Sequence, residues 1–116
     1  MSETIVEPAS WVKLPDLAER WDLPVNRVHQ LVKDGTLIAV RREGVLQIPA
    51  ELVSGDMVRK HLPGVLNVLH DAGYSDEEAM RWLFRADDSL PGGTAAAALS
   101  TGAATEVKRR AQALGF

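Results

Sequence analysis

Five polar side chains between Pro24 and Asp34 are of the types that recognise nucleic acids. They are Asn26, Arg27, His29, Gln30 and Lys33. Arginine can pair with guanine through two hydrogen bonds, asparagine or glutamine can pair in the same way with adenine, and lysine can neutralise a phosphate. Two adjacent arginines, Arg41 and Arg42, suit phosphates or a narrow minor groove. These residue types predict contacts with duplex DNA, provided that one outward surface carries both groups.

The apolar residues of the segment that contains Asn26 to Lys33 predict two short helices joined by a tight turn. The inward residues are Leu14, Leu17, Ala18 and Trp21 in the first helix and Val25, Val28, Leu31 and Val32 in the second. Asp22-Leu23-Pro24 separates the helices, because proline cannot continue the hydrogen-bond ladder and disfavours helical geometry in the residue before it. Any solvated helix has a polar face, so the neighbouring elements decide between DNA reading and simple solvation.

A glycine and two apolar runs predict a hairpin after the second helix. Gly35 ends that helix in a left-handed conformation, and residues 37–40 and 45–48 are predicted as strands. Glu43-Gly44 supplies the turn between them. The two arginines beside this turn favour a DNA-contacting wing over a charged turn that only protects a strand edge, because the hairpin directly follows a helix-turn-helix.

The segment DLAERWDLPVNRVHQLVKDGTLIAVRREGVLQIPAELV resembles the winged helix-turn-helix of MerR-type and excisionase-type proteins, over about a third of the chain. Its strongest marks are the Leu17-Ala18 pair, the Val28 and Leu31 core pair, the Asp34-Gly35 helix exit and the arginines before the second wing strand. The resemblance implies binding of double-stranded DNA, with Asn26, Arg27 and Gln30 in the major groove and the two arginines on the wing. His29 is either a base or phosphate contact or a neutral surface histidine.

Two longer segments resemble a small actinobacterial family of DNA-binding proteins, in which a winged module is joined to a C-terminal helical region. They are WVKLPDLAERWDLPVNRVHQLVKDGTLIAVRREG and HLPGVLNVLHDAGYSDEEAMRWLFRADDSLPGG. The resemblance implies a transcriptional-regulator-like role and regulation by a Ser/Thr protein kinase. Ser2 and Thr4 are phosphorylation candidates because they are accessible in the polar N-terminal tail, and Thr4 is preferred. If the tail lies near the binding face, the added negative charge would repel the duplex.

The predicted fold class is mainly α with a small β-hairpin wing, a winged helix-turn-helix followed by a small helical bundle. We expect a flexible tail over residues 1–9, a DNA-binding domain over residues 10–55 and a C-terminal helical domain over residues 61–116. The tail is polar and acidic and has no periodic apolar face. A boundary between the two structural units is predicted near residues 54–61, where a short loop follows the wing.

Start signals predict four helices in the C-terminal part. His61-Leu62-Pro63-Gly64 opens the first, and Ser75 and Glu78 form a capping box for the second, over residues 76–85. Thr94 caps a short alanine-rich helix, and residues 105–114 form the last. The second helix is expected to bury some combination of Ala79, Met80, Trp82, Leu83 and Phe84. All three tryptophans are predicted as core residues rather than stacking platforms.

Net charge is the main observation against DNA binding, since the formal charge is −3 and compact DNA binders are usually basic. The local distribution is different, because residues 24–48 contain 4 basic residues against 2 acidic ones. This pattern predicts modest, strongly salt-dependent affinity for a monomer. Specificity is then expected from a homodimer or a protein partner bound through the C-terminal helices.

Composition and motifs argue against an enzyme. The absence of cysteine removes thiol catalysis, disulfides and cysteine-ligated zinc, and the 3 histidines are scattered without an HExxH motif. A Gly-rich phosphate loop and a nucleophile elbow are also absent from the sequence. We therefore expect no catalytic residue, no cofactor and no metal site. The sequence has no secretory signal and no membrane-spanning apolar run, so a cytoplasmic location is expected.

The C-terminal segment WLFRADDSLPGGTAAAALSTGAATEVKRRAQALGF also resembles the C-terminal domain of Xre/ParS-type antitoxins. That resemblance implies a toxin partner. The alternative function is therefore a protein-interaction or antitoxin-like module, in which the helix-turn-helix is only a scaffold. Lys108-Arg109-Arg110 could contact DNA phosphates or complement the negative end of the last helix, and the second interpretation is favoured.

Overall fold

The computed structural model describes residues 4–114, with the side chains of residues 56 and 57 excluded. The strands are β1 (Trp11–Lys13), β2 (Val40–Arg42) and β3 (Val45–Pro49), and the α-helices are α1 (Leu14–Arg20), α2 (Val25–Lys33), α3 (Asp56–Asp71), α4 (Asp76–Leu83), α5 (Ala95–Leu99) and α6 (Ala104–Ala113). Single 3-10 turns occupy Ala50–Leu52 and Pro91–Gly93. The described chain is thus mainly helical, with one small sheet.

The helix-turn-helix forms at the predicted residues. α1 has Pro15 in its first turn, where the missing N–H costs no hydrogen bond. Asp22 adopts a φ of 55° in the connecting turn. Val28 is fully buried, whereas Val25, predicted to face inward, is 42% exposed. Val25 is the first residue of α2 and lies at the exposed turn, one helical turn before the contact with α1 that buries Val28.

The three-stranded antiparallel sheet has the order β1-β3-β2. The prediction of a strand over residues 37–40 is wrong in position, because Leu37, Ile38 and Ala39 are consecutively buried and outside the ladder. They form a core-filling connection, and the strand begins at Val40 and includes both arginines. The predicted turn is confirmed, since Glu43 and Gly44 have φ values of 53° and 78°. Two positive φ values in a two-residue turn match the right-handed twist of a hairpin.

α3 begins earlier than predicted, at Asp56 instead of His61, and runs for 16 residues through Pro63. An internal proline costs about 3 kcal/mol because it removes a hydrogen bond and crowds the preceding turn. The apolar stripe of the helix outweighs this cost, since each fully buried Val or Leu contributes about 1.5–3 kcal/mol. The stripe consists of Val58, Leu62, Val65, Leu66 and Leu69, all buried.

The remaining C-terminal helices begin close to the predicted signals. The capping box is confirmed, because Glu78 N–H donates to Ser75 Oγ at 3.2 Å and Ser75 N–H donates to Glu78 Oε1 at 2.9 Å. Thr94 Oγ1 accepts from Ala97 N–H at 3.1 Å and caps α5. The predicted burial of residues in α4, and of Phe84 directly after it, is confirmed. No helix within residues 4–114 is long and apolar enough to cross a membrane.

One hydrophobic core joins the helix-turn-helix and the C-terminal helices. It includes Leu17, Ile38 and Ile48 from the first part and Leu62 and Leu99 from the second. The division into domains over residues 10–55 and 61–116 therefore stays a prediction about sequence units, which share their buried residues in the folded chain.

Residues 4–6, which belong to the predicted tail, are paired with the segment that follows α4. Val6 N–H donates to the carbonyl of Phe84 at 2.8 Å, and Ala86 N–H donates to the carbonyl of Thr4 at 2.8 Å. Ile5, which packs against the core, supplies the apolar anchor that the sequence analysis overlooked. Ser2 lies outside the described residues.

Candidate nucleic-acid interface

The outward face of α2 is open to solvent. All five polar side chains that the sequence singles out are exposed, namely Asn26, Arg27, His29, Gln30 and Lys33. Val28, on the opposite side of the helix, is fully buried and holds α2 against α1. The C-terminal helices therefore leave the polar face of α2 uncovered.

The end of α2 is held by a glycine turn. Gly35 has a φ of 79°, and its N–H donates to the carbonyl of Val32 at 3.1 Å. Thr36 N–H donates to the carbonyl of Leu31 at 3.0 Å. These two bonds satisfy carbonyls that the helix end leaves without a partner, in the pattern of a Schellman motif. The turn fixes the direction in which the chain leaves α2 and enters the core.

The side chains of α2 differ in their existing partners. Gln30 Nε2 donates to Asp34 Oδ1 at 2.8 Å, one helical turn away. Asn26, Arg27 and Lys33 make no side-chain hydrogen bond within residues 4–114. Their polar groups are therefore free to meet an external partner, whereas Gln30 has to leave Asp34 before it can read a base.

The two wing arginines lie on opposite faces of the sheet. Arg41 is paired with Leu46, and Arg42 with Val45, so alternation along the strands separates them. Arg41 lies on the face that carries the buried Val12 and Ile48, because Val12 is paired with Ile48 two residues beyond Leu46. The two arginines were predicted to lie together at one hairpin tip, and the register instead places them on opposite faces.

The side chains of the wing arginines have different contacts. Arg41 Nη1 donates to the carbonyl of Gly44 at 3.1 Å and so braces the hairpin turn. The guanidinium carbon of Arg42 lies 4.2 Å from the ring centroid of Trp11 in β1. Both arginines are exposed. We use the name α2–wing surface for the exposed residues of two elements, which are Asn26, Arg27, His29, Gln30 and Lys33 of α2 and Arg41 and Arg42 of the hairpin.

In the part of the chain that the structure describes, the cations of the α2–wing surface have no acidic partner. Within residues 4–114, none of the ion pairs includes a basic residue of this surface. Their charges are consequently available to an anion, even though the whole chain has a formal charge of −3.

The basic run of α6 is arranged differently. Arg110 Nη1 lies 3.0 Å from Asp87 Oδ2, and Arg110 Nε lies 2.7 Å from Glu106 Oε2. Hydrogen bonds from Arg109, and then from Arg110, lower the pKa of Glu106 to about 2. Hydrogen bonds from Ser89 lower the pKa of Asp87. We call these five residues the Arg110 cluster; its arginines are paired with Glu106 and Asp87, which differs from the predicted complement to the negative end of the last helix.

Trp11 and Trp21 are the residues whose roles the sequence analysis missed. Trp82 is buried as predicted, but the other two are half-buried and each carries an arginine on its ring. The guanidinium carbon of Arg59 in α3 lies 4.1 Å from the ring centroid of Trp21, and this contact connects α3 to the end of α1. Local spacing contains no signal for either stack, because the partners are distant in sequence.

The remaining candidates lie away from α2. Thr4 is exposed, and its backbone pairs with the segment that follows α4. Among the described residues, no group of three or more His, Asp or Glu side chains is arranged to hold a metal ion.

Comparison with known proteins accounts for both halves of the chain. A family model described as "DNA-binding protein Rv2175c, wHTH domain" matches residues 1–53, and one described as "Rv2175c C-terminal domain of unknown function" matches residues 59–115. The DNA-binding protein Rv2175c of Mycobacterium tuberculosis is 42% identical over a match that covers 89% of this chain and 79% of the relative. The chain belongs to the Rv2175c family.

The solved structure of an Rv2175c protein supports the same assignment for the fold. The NMR structure of Rv2175c matches with a TM-score of 0.82 and 38% identity, over 97% of this chain and 86% of that one. The predicted fold class and the predicted membership of an actinobacterial winged helix-turn-helix family are thereby confirmed. The family model of the N-terminal half and the mycobacterial relative are both described as DNA-binding.

Proposed function

We propose that this chain binds double-stranded DNA in a sequence-specific manner and acts as a transcriptional regulator. The observation that carries the proposal is the open polar face of α2, whose cations have no acidic partner within residues 4–114. In helix-turn-helix proteins, the second helix lies in the major groove with its N-terminal residues against the base edges. α2 is the second helix of this motif.

Each residue of α2 receives a role from its position and chemistry. Asn26 and Arg27 lie in the first turn and read bases, where Arg27 suits guanine and Asn26 suits adenine. Gln30 reads adenine after it releases Asp34. Lys33, in the last turn, neutralises a phosphate, and His29 contacts a base or a phosphate.

The wing supplies a second contact on the neighbouring backbone. Arg41 reaches a phosphate or the minor groove from the hairpin tip, where it already braces the turn. A homodimer formed through the C-terminal helices adds specificity, because two half-sites multiply the discrimination of one. Phosphorylation of Thr4 by a Ser/Thr protein kinase lowers the affinity for DNA by charge repulsion. The chain acts in the cytoplasm.

A fluorescence-anisotropy titration with mixed genomic fragments at several salt concentrations tests the proposal. Wild-type protein is expected to bind saturably, with an affinity that falls steeply as salt rises. Lys33→Ala should weaken binding to all fragments uniformly and reduce the salt slope by about one. Lys108→Ala, which removes an exposed cation of α6, is the matched control and should leave both values unchanged. Absence of saturable binding at any salt concentration would favour the scaffold function instead.

A further inference from the structure

We infer that Arg42 is a positioning residue of the wing, which acts through Trp11, and that Arg41 alone supplies the direct wing contact with DNA. This inference deepens the proposed function and rests on it for its affinity readout. Two adjacent arginines of identical chemistry thereby receive different roles, and the register of the sheet is the observation that separates them.

Arg42 reaches across the whole sheet. It lies on the edge strand β2, whereas Trp11 lies on the opposite edge strand β1, and β3 separates the two. The register places Arg42 beside Val45 and Trp11 beside Pro49, so the arginine side chain must extend diagonally over Gln47 on the same face. The guanidinium carbon then lies 4.2 Å from the Trp11 ring centroid.

A polar contact beneath the arginine strengthens this link. Gln47 Nε2 donates to the backbone carbonyl of Arg42 at 3.1 Å. Gln47 is only 7% exposed although its side chain is polar, as expected for a residue that the Arg42 side chain covers. The side chain and the backbone of Arg42 are therefore both held to the rest of the sheet.

The wing needs such a link because its hairpin is short. β2 is an edge strand of only three residues, so few ladder hydrogen bonds hold it to the sheet. The ladder connects β2 to β3 alone, so the Arg42–Trp11 stack adds a connection from the outer strand to the far edge of the sheet. Within the described residues 4–114, Arg41 makes no comparable connection, since its side chain bonds only the carbonyl of Gly44 in its own turn.

Salt dependence of DNA binding separates the two roles, because each phosphate contact that is lost reduces the slope of log K against log salt by about one. Arg41→Ala should reduce that slope by about one. Arg42→Ala should raise Kd about two- to fivefold, the value of an exposed cation–π contact, without a change of slope. Trp11→Leu should reproduce Arg42→Ala, and Trp11→Phe, which keeps an aromatic ring, should stay close to wild type.

The double variant Arg42→Ala/Trp11→Leu should bind no more weakly than either single variant, because both remove the same contact. A reduced salt slope for Arg42→Ala together with unchanged binding by Trp11→Leu would overturn the inference. If wild-type protein binds no DNA, the proposed function fails, and amide hydrogen exchange then tests the positioning role by itself. Arg42→Ala should speed exchange in β3 more than Arg41→Ala does, and equal rates would count against the role.

Discussion

The α2–wing surface and the Arg110 cluster both contain basic side chains, but only those of the cluster are paired with carboxylates of the described chain. Arg27 and Lys33 project from α2 without an acidic partner within residues 4–114. Arg109 and Arg110 project from α6, and both bind Glu106. A basic run in a sequence therefore says little about an anionic partner until the carboxylates around it are known.

The comparison also explains how an acidic chain can carry a DNA-binding surface. Phosphate contacts gain free energy by releasing counterions, which requires a cation that no carboxylate of the protein already neutralises. The chain has a formal charge of −3, while residues 24–48 contain 4 basic residues against 2 acidic ones. Charge distribution, and not net charge, is consequently the quantity to compare with function.

The first prediction tests whether the two regions fold as one unit. Leu62→Ala removes a fully buried side chain of the shared core and should lower the free energy of unfolding by about 2–5 kcal/mol. Tryptophan fluorescence and far-UV circular dichroism should report one coincident urea transition. Asn67→Ala, exposed on the same helix, is the control and should change stability by less than about 0.5 kcal/mol. Two separate transitions would show that the regions are independent.

The second prediction sharpens the difference between unpaired and paired arginines. Arg27→Ala should weaken binding to a selected DNA fragment about five- to 150-fold and relax the preference at one base pair, because a bidentate arginine–guanine contact contributes about 1–3 kcal/mol. Arg109→Ala should change the affinity less than about twofold, since that charge is already neutralised by Glu106. An equal loss for both variants, measured by fluorescence anisotropy, would remove the distinction between the two surfaces.

The third prediction compares one glycine from each region. Gly35→Ala should destabilise the protein by about 1–2 kcal/mol, because its φ of 79° is a left-handed conformation that disfavours a side chain. Gly64→Ala should stabilise it by about 0.5–1 kcal/mol, since alanine is favoured over glycine inside a helix. Urea unfolding measures both values. The same sign for both substitutions would contradict the conformations described for these residues.

The smallest expected effect is the pH dependence from the Arg110 cluster. The pKa of Glu106 is lowered from 4.5 to about 2, so its contribution to stability is fully present above about pH 4.5 and is lost as the pH falls towards 2. The difference in urea midpoint between wild type and Glu106→Gln should therefore be largest near neutral pH and shrink in acid. A difference that grows as the pH falls would have the wrong sign for this cluster.

Elements with local causes were predictable from the sequence. Pro15, the Gly35 turn and the Ser75–Glu78 capping box act through neighbouring backbone groups, and each lies where its pattern predicts. The five polar residues of α2 were also identified correctly as exposed, because helical spacing alone separates them from Val28.

Features with distant causes were not predictable in the same way. β1 has only three residues and exists because β3 pairs with it. The opposite faces of Arg41 and Arg42 depend on the register of the sheet, and the pairing of residues 4–6 depends on the segment after α4. The early start of α3 follows from the burial of Val58, which the internal Pro63 concealed in the sequence pattern.

The continuity of α3 has a consequence for the spacing of the two DNA half-sites that a dimer would bind. A 16-residue helix is about 24 Å long. It is a rigid connection, whereas a flexible linker would let the two ends rotate freely relative to each other. In a pair of molecules joined through their C-terminal helices, the two copies of α3 would set the separation and rotation of the two α2 helices. The distance between half-sites along the duplex would then be dictated by the length of a helix that itself touches no base.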